Sequence, residues 1–349
     1  MVDEADQAIP LRVLERELAL PKARIPPTAE EFLELLAVPT LISVKGQDTS
    51  RTRIVSTLLH GNEPSGLRAI RSWLATGRIP AVNTLLFIGA VRTARLPPGF
   101  AYRFLPGRID LNRCWFPPHT GRVGEFAGEV LRLFNQALPE SLIDLHNNTG
   151  HNPPYGVSPR IGPEERNLVA YFADRVVHSP LRLGTLVEAT QADFPSVTIE
   201  CGRSRDPIAD ATALAGLERY LHDHRSEHLA ADPPSMEILT NPQRVTVRDG
   251  VDLAFGEGPV ADAEFTVARD IDRHNFERLE PGVPIGWLAA DAGWPIEAVG
   301  PDGRDVSREL FTLRKEVLET RRAITPIMMT TNRRNALDDC LFYVVDPPE

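Results

Sequence analysis

The chain predicts an α/β fold, a mostly parallel or mixed helix-flanked sheet with a smaller C-terminal β-rich domain, and two features of the sequence carry that prediction. From about residue 40 onward, short apolar runs alternate with helical patterns, the rhythm of strands joined by crossover helices. Near residue 233 the rhythm stops and Gly-punctuated short apolar runs take over. The expected domains are therefore 1–233 and 234–349.

Before residue 40, a polar helix or two is expected to pack on the outside. Strands follow at 40–44 (TLISV) and 53–59 (RIVSTLL), then a helix at 64–75 (PSGLRAIRSWLA) and a strand around 84–91 (TLLFIGAV). Next come a helix at 124–138, a strand at 141–145 (SLIDL), a helix at 164–177 (EERNLVAYFADRVV), a strand at 196–200 (SVTIE) and a helix over 210–230. The segment AADPPSMEILTNP breaks the pattern with its prolines, and HNFERLEPGVPIGWLAA and LDDCLFYVV beyond it are strand-rich.

Composition narrows the function. A chain of 349 residues with 42% hydrophobic content can bury a substantial core, and its length suggests two domains or one domain with a large appendage. The net charge of −10 argues against a nucleic-acid partner, because phosphate neutralisation needs a basic surface. No apolar run approaches the roughly 20 residues that span a bilayer, so no membrane association is expected. The acidic start MVDEADQAIP lacks the basic and then apolar order of a secretory signal, which predicts a cytoplasmic location. Cys114, Cys201 and Cys340 are odd in number and widely spaced, fitting free thiols better than disulfides or a Cys-based zinc module. Lysine occurs only as Lys22, Lys45 and Lys315, away from every motif below, so Schiff-base chemistry has no support.

Four segments could carry chemistry. In LLHGNEPSG an apolar strand ends at His60, and Glu63 follows before a helix near Pro64. His-x-x-Glu alone is weak, since His224 with Glu227 and His274 with Glu277 repeat it. The first pair differs by its place at the carboxyl end of a strand, where open parallel sheets hold ligands, and by flanking Gly61 and Gly66. A solvated helix face explains His224 and Glu227, and a surface loop explains His274 and Glu277. In LIDLHNNTG a second strand delivers His146, with Asp144 two residues earlier on the same side as a carboxylate able to orient it. Two imidazoles and a carboxylate leave a fourth zinc position open, as catalytic sites do. In isolation, a strand-end histidine satisfied by backbone is the stronger reading of His146.

VTIECG places Glu200 at the end of an apolar strand, where a half-buried carboxylate with a raised pKa could accept and return a proton; a salt bridge to Arg203 or Arg205 is the plainer alternative. Cys201 beside it tempts a thiol-nucleophile reading, but no histidine with supporting context accompanies it except His146. YRFLPGRIDLNRCWFPP gathers Arg103, Arg108 and Arg113 around Asn112, groups suited to clamp a carboxylate or steady an oxyanion, or else to tie down a loop through Asp110.

Taken in order, HGNE, DLNR, DLHNNTG and IECG resemble the succinylglutamate desuccinylase and aspartoacylase family, over roughly residues 50–205 and more weakly through HNFERLEPGVPIGWL. The resemblance implies a zinc carboxypeptidase-like catalytic domain holding one zinc ion per chain on His60, Glu63 and His146. It implies Glu200 as the catalytic carboxylate, and Asn112 and Arg113 as the pair that binds substrate carboxylate. Arg103 is preferred over Arg108 for the oxyanion because an aromatic residue follows it. The stretch TLVEATQADFPS lacks the substrate-binding arginine of aspartoacylase-like members, which leaves acyl group and amine open.

The expected function is a zinc-dependent amidohydrolase, a deacylase acting on an N-acyl amino acid or similar small amide. A metallocarboxypeptidase and a non-catalytic binding protein of the same fold remain the alternatives, and oligomeric state is open.

Overall fold

A computed structural model describes residues 9–16, 20, 22–105, 109–224 and 232–346. Its elements follow from local sequence. Helix α1 (Ala29–Leu36) starts at a capping box in which Thr28 accepts the Glu31 backbone N–H and Glu31 reaches back. Helix α2 (Ser65–Thr76) buries Leu67, Ile70, Trp73 and Leu74 on one stripe and ends at Gly77 in the left-handed conformation (φ 74°). Helix α3 (Val91–Arg95) is a short turn, and α4 (Gly121–Gln136) repeats the helical stripe with Phe126, Ala127, Val130 and Phe134.

Contacts divide the chain into two compact units. The first comprises Met1–Asn147, Pro154–Val176 and Arg182–Met236, and the second Asn148–Pro153, Val177–Leu181 and Glu237–Glu349. In the first unit, strands β1 (Arg12–Glu15), β2 (Thr40–Val44), β3 (Asp48–Thr57), β4 (Val82–Ile88), β5 (Ser141–Asn148), β6 (Tyr155–Ser158) and β8 (Ser196–Arg203) run in the order β1-β2-β4-β3-β5-β8-β6. Between β6 and β8 in sequence lies β7 (Arg175–His178). The sheet is mixed: β3 pairs parallel with β4 and β5, whereas β2 runs antiparallel to β4 and β6 to β8. All eight residues of β5 are buried, as a central strand covered on both faces requires. Under the sheet, Phe87, Trp115, Phe126 and Phe134 form an aromatic core.

Several boundaries differ from expectation. The segment 164–177 is not one helix: α5 (Pro163–Val169) stops, and Arg175–His178 is strand. Its apolar residues fit a helical period, but the β-branched pair Val176–Val177 is buried as strand. Strand β8 runs three residues past Glu200, and α7 (Pro207–His222), which follows the short α6 (Leu186–Thr190), ends earlier than expected. Glu227 and the end of that expected helix lie outside the described residues. Before residue 40 the described chain holds α1 together with a strand, β1.

The second unit is built on β-structure. Glu237–Val247 pairs antiparallel with Ile296–Val299 and with Phe342–Asp346, which pairs with Thr325–Ile327. A separate five-stranded sheet joins the segments from Leu253–Gly256 to Val317–Thr320, and Phe265, Phe311, Leu318 and Phe342 are buried in its core. Among the described residues no helix is long and apolar enough to cross a membrane.

Candidate metal centre

Strand β3 ends at Thr57, and Leu58 takes a left-handed conformation (φ 55°) that β-structure cannot continue. The chain turns there and delivers His60 and Glu63 ahead of α2. Two glycines make the turn possible. A Cβ on Gly61 would sit 2.7 Å from Thr93 Cγ2 and 2.8 Å from the Tyr102 carbonyl, and one on Gly66 would sit 2.0 Å from Thr57 Oγ1. Close approach of the segment around Arg103 to the His60 loop therefore depends on residue 61 having no side chain, and docking of α2 on the strands has the same dependence at residue 66.

His60, Glu63 and His146 converge, each offering a ligand atom within 4.8 Å of the others, and all three are buried. Glu63 Oε1 lies 2.8 Å from His60 Nδ1 and Oε2 lies 2.7 Å from His146 Nδ1. The opposite ring nitrogens are held by further carboxylates: His146 Nε2 by Asp144 at 2.7 Å, and His60 Nε2 by Asp110 at 3.1 Å. Asp144 is thus beside His146 as the strand alternation requires. Asp110, which the sequence offered as a loop anchor, reaches His60 as well.

The electrostatics suit a cation. Burial disfavours a charged imidazole at both histidines, and Arg103 adds to that at His60, yet Glu63 and Asp110 raise the His60 pKa overall. His146 is also buried, and Asp144 and Glu63 lift it well above its ordinary value. Against its own burial, Glu63 is driven far below the carboxylate range by the two imidazoles. A pocket that favours two imidazolium charges around a carboxylate also favours a divalent ion that displaces those protons. Glu200 moves the other way: burial and the Glu63 charge raise it to about 7, against the pull of His146, His60 and Arg103.

Glu200 is 6% exposed, and its Oε2 is buried without a hydrogen bond. Few buried acceptors in folded proteins go without a partner. Arg205 donates to the carbonyls of Gly99 and Phe100. Cys201 is buried, and burial pushes its thiol well above the ordinary value, so it is no ready nucleophile.

Arg103 is half-buried and donates from Nε to Asp110 Oδ2 at 3.0 Å, with Nη1 3.8 Å from Glu63 Oε1. Arg108 lies outside the described residues. Asn112 is buried within a short 3-10 turn (Leu111–Arg113), and its Oδ1 accepts the Leu186 N–H at 3.0 Å, which fixes which end of the amide is the donor. Arg113 donates to the Asn112 carbonyl, and its charge helps hold Asp110 far below the carboxylate range, though burial opposes this and His60 and Arg103 contribute more.

Asn147 was not singled out by sequence. Its Oδ1 accepts the Ser65 N–H at the start of α2, its Nδ2 donates to the Gly202 carbonyl, and its own N–H faces Glu63 Oε2 at 3.3 Å. It ties together the segments that bear Glu63, His146 and Glu200. The only available signal was its position directly after His146. Of the repeated His-x-x-Glu spacings, His274 and Glu277 form an exposed pair at 3.1 Å in the second unit.

No protein-family model matches the chain, and no curated protein matches it by sequence. Solved structures do match in fold. A succinylglutamate desuccinylase from Chromobacterium violaceum superimposes with a TM-score of 0.56 at 15% identity, covering 90% of each chain. The product-bound ectoine utilization protein of Ruegeria pomeroyi gives 0.53 at 19% identity over 88% of this chain and 87% of that one. Murine aminoacylase 3 gives 0.50 at 19% over 85% and 94%. A helix-flanked sheet with a second, smaller β sheet is therefore an architecture that this chain shares with structures of the succinylglutamate desuccinylase and aspartoacylase family.

Proposed function

We propose that the protein is a zinc-dependent deacylase that hydrolyses the amide bond of an N-acyl amino acid or a similar small amide. The observation that carries this reading is the buried convergence of His60, Glu63 and His146, with a carboxylate behind each imidazole. His60, Glu63 and His146 would hold the ion, a donor set of the kind zinc accepts in catalytic sites. Two orphaned buried oxygens, Glu200 Oε2 and Asp144 Oδ1, fit a centre that lacks one partner. When bound there, zinc would polarise the scissile carbonyl and lower the pKa of water toward about 7.

The remaining steps belong to the chain's own side chains. Glu200, raised to about 7, takes a proton from the attacking water and returns it to the leaving amine. The Arg103 guanidinium offsets negative charge on the carbonyl oxygen, a role whose loss typically costs on the order of a hundredfold or more. Asn112 and Arg113 bind the carboxylate of the amino-acid portion. The names of the structural neighbours, desuccinylases and an aminoacylase, support the same reaction class.

Metal analysis and a screen of N-acyl amino acids test the reading. The chain should bind one equivalent of zinc and release a free amino acid, and Glu200→Gln should keep the zinc and lose turnover. Near-normal activity in that variant rejects the assigned role of Glu200. A purified chain that neither holds zinc nor gains activity on its addition rejects the enzyme.

A further inference from the structure

Glu188 collects more hydrogen bonds than a helix start requires. Its carboxylate is buried, and it accepts the Leu183 N–H at 3.0 Å, the Gly184 N–H at 3.2 Å and the Thr185 hydroxyl at 2.9 Å. Thr185 in return accepts the Glu188 N–H, which completes the capping box at the start of α6. A capping box involves only Thr185 and Glu188. The bonds from Leu183 and Gly184 go further and fix the shape of the turn ahead of the helix.

That turn lies against the segment that carries Asn112 and Arg113. The Leu186 N–H donates to Asn112 Oδ1 at 3.0 Å, a contact spanning 74 residues of chain, and the Trp115 N–H donates to the Gly184 carbonyl at 3.2 Å. Gly184 is in the left-handed region (φ 82°), and a Cβ on it would sit 2.7 Å from the Arg113 carbonyl oxygen and 3.0 Å from its carbon. Behind the turn, Leu186 and Val187 are buried in the core beside Trp115. Residues 112, 113 and 115 are thus all braced by residues 184 and 186, and the shape of 183–185 is set by one carboxylate.

We propose that Glu188 is a positioning residue for recognition of the substrate carboxylate; the inference rests on the reading above in which Asn112 and Arg113 bind that carboxylate. By shaping the turn, Glu188 aims the Leu186 N–H at Asn112 Oδ1, so that the amide turns its Nδ2 donor to the ligand. The same shape seats Gly184 against the backbone of Arg113. Preference for a substrate with a free carboxylate is therefore governed from the start of α6, by a side chain whose bonds stay within its own turn.

Glu188→Gln keeps one acceptor oxygen and points an amide donor at backbone N–H groups that need an acceptor. The test compares an N-acyl amino acid with the carboxamide of the same compound, in which the carboxylate is masked. In Glu188→Gln the KM for the carboxylate substrate should rise about tenfold, the cost of one buried donor left unpaired, with kcat little changed. The carboxamide should be cleaved as by wild type, so the ratio of the two kcat/KM values should collapse by the same factor, and zinc affinity should be unchanged. A merely structural role would lower both substrates together. Gly184→Ala, an independent variant that leaves the Glu188 side chain intact, should produce the same loss of preference through Arg113. Adding Glu188→Gln to Asn112→Ala should cost less than the product of the two single losses.

A preference for the carboxylate that survives both Glu188→Gln and Gly184→Ala, or losses that multiply in the double variant, overturns the proposal. A wild type that cleaves the acid and its carboxamide equally well defeats the assignment of Asn112 and Arg113 and this proposal with it. The two failures are distinguishable, since the second is read in wild type alone.

Discussion

Among the described residues the His-x-x-Glu spacing occurs in two settings. His60 and Glu63 stand 2.8 Å apart with side chains 4% and 7% exposed, and His274 and Glu277 stand 3.1 Å apart with side chains 37% and 63% exposed. Distance barely separates them. Burial and further partners do: the first pair has His146, Asp110 and Asp144 behind it, whereas water surrounds the second. A motif becomes a site when neighbours remove the solvent that would otherwise satisfy it, because an ion pair in low dielectric cannot relax into water.

The comparison can be broken first at its buried member. Glu63→Ala leaves two imidazoles facing one another without their shared carboxylate, and removing one partner of a buried pair costs about 3–5 kcal/mol. Zinc retention after gel filtration and the urea midpoint should both fall; unchanged values would mean that the buried pair is no more than the exposed one. Gly61→Ala comes next. A Cβ there meets Thr93 Cγ2 at 2.7 Å and the Tyr102 carbonyl at 2.8 Å, so strain of about 1–3 kcal/mol is expected in denaturant unfolding.

Proton competition sharpens the contrast. His60 and His146 have raised pKa values, so each lower pH step favours protons over the ion, and zinc release measured with a chelator should steepen as pH falls. Glu200 is raised to about 7 before any cation sits beside it, and a cation lowers it. As proton acceptor it works only when ionised, so kcat/KM should climb with pH through a limb below about 7 and then level off. A flat profile down to pH values near the ordinary carboxylate range would remove Glu200 from that role. The smallest effect belongs to the exposed pair, where His274→Ala should shift stability by no more than about 0.5 kcal/mol and leave zinc affinity alone.

The sequence carried the sheet and the grouping of His60, Glu63 and His146 for a physical reason. Each lies on a strand or at a strand's turn, where apolar periodicity and flanking glycines are local signals. Asp110 and Asn147 were harder to read because their roles depend on distant segments. Asp110 meets a histidine 50 residues earlier, and Asn147 meets Ser65 and Gly202 across the sheet. The helix expected over 164–177 failed for a related reason. Tyr171, Phe172 and Val176 fit a helical stripe, and only their packing separates a helix that stops at Val169 from a strand that starts at Arg175.

His146 lies on β5 and Glu200 on β8, and these strands are hydrogen-bonded neighbours in the sheet. Neighbouring strands stay about 4.8 Å apart whatever side chains they bear. Backbone pairing thus acts as a ruler between His146 and Glu200, the proposed ligand and proton carrier, one that substitution elsewhere cannot stretch. Under the proposed chemistry, variation in what such a scaffold accepts must then come from the loops above the strand ends, whose lengths and residues can drift while His146 and Glu200 keep their separation.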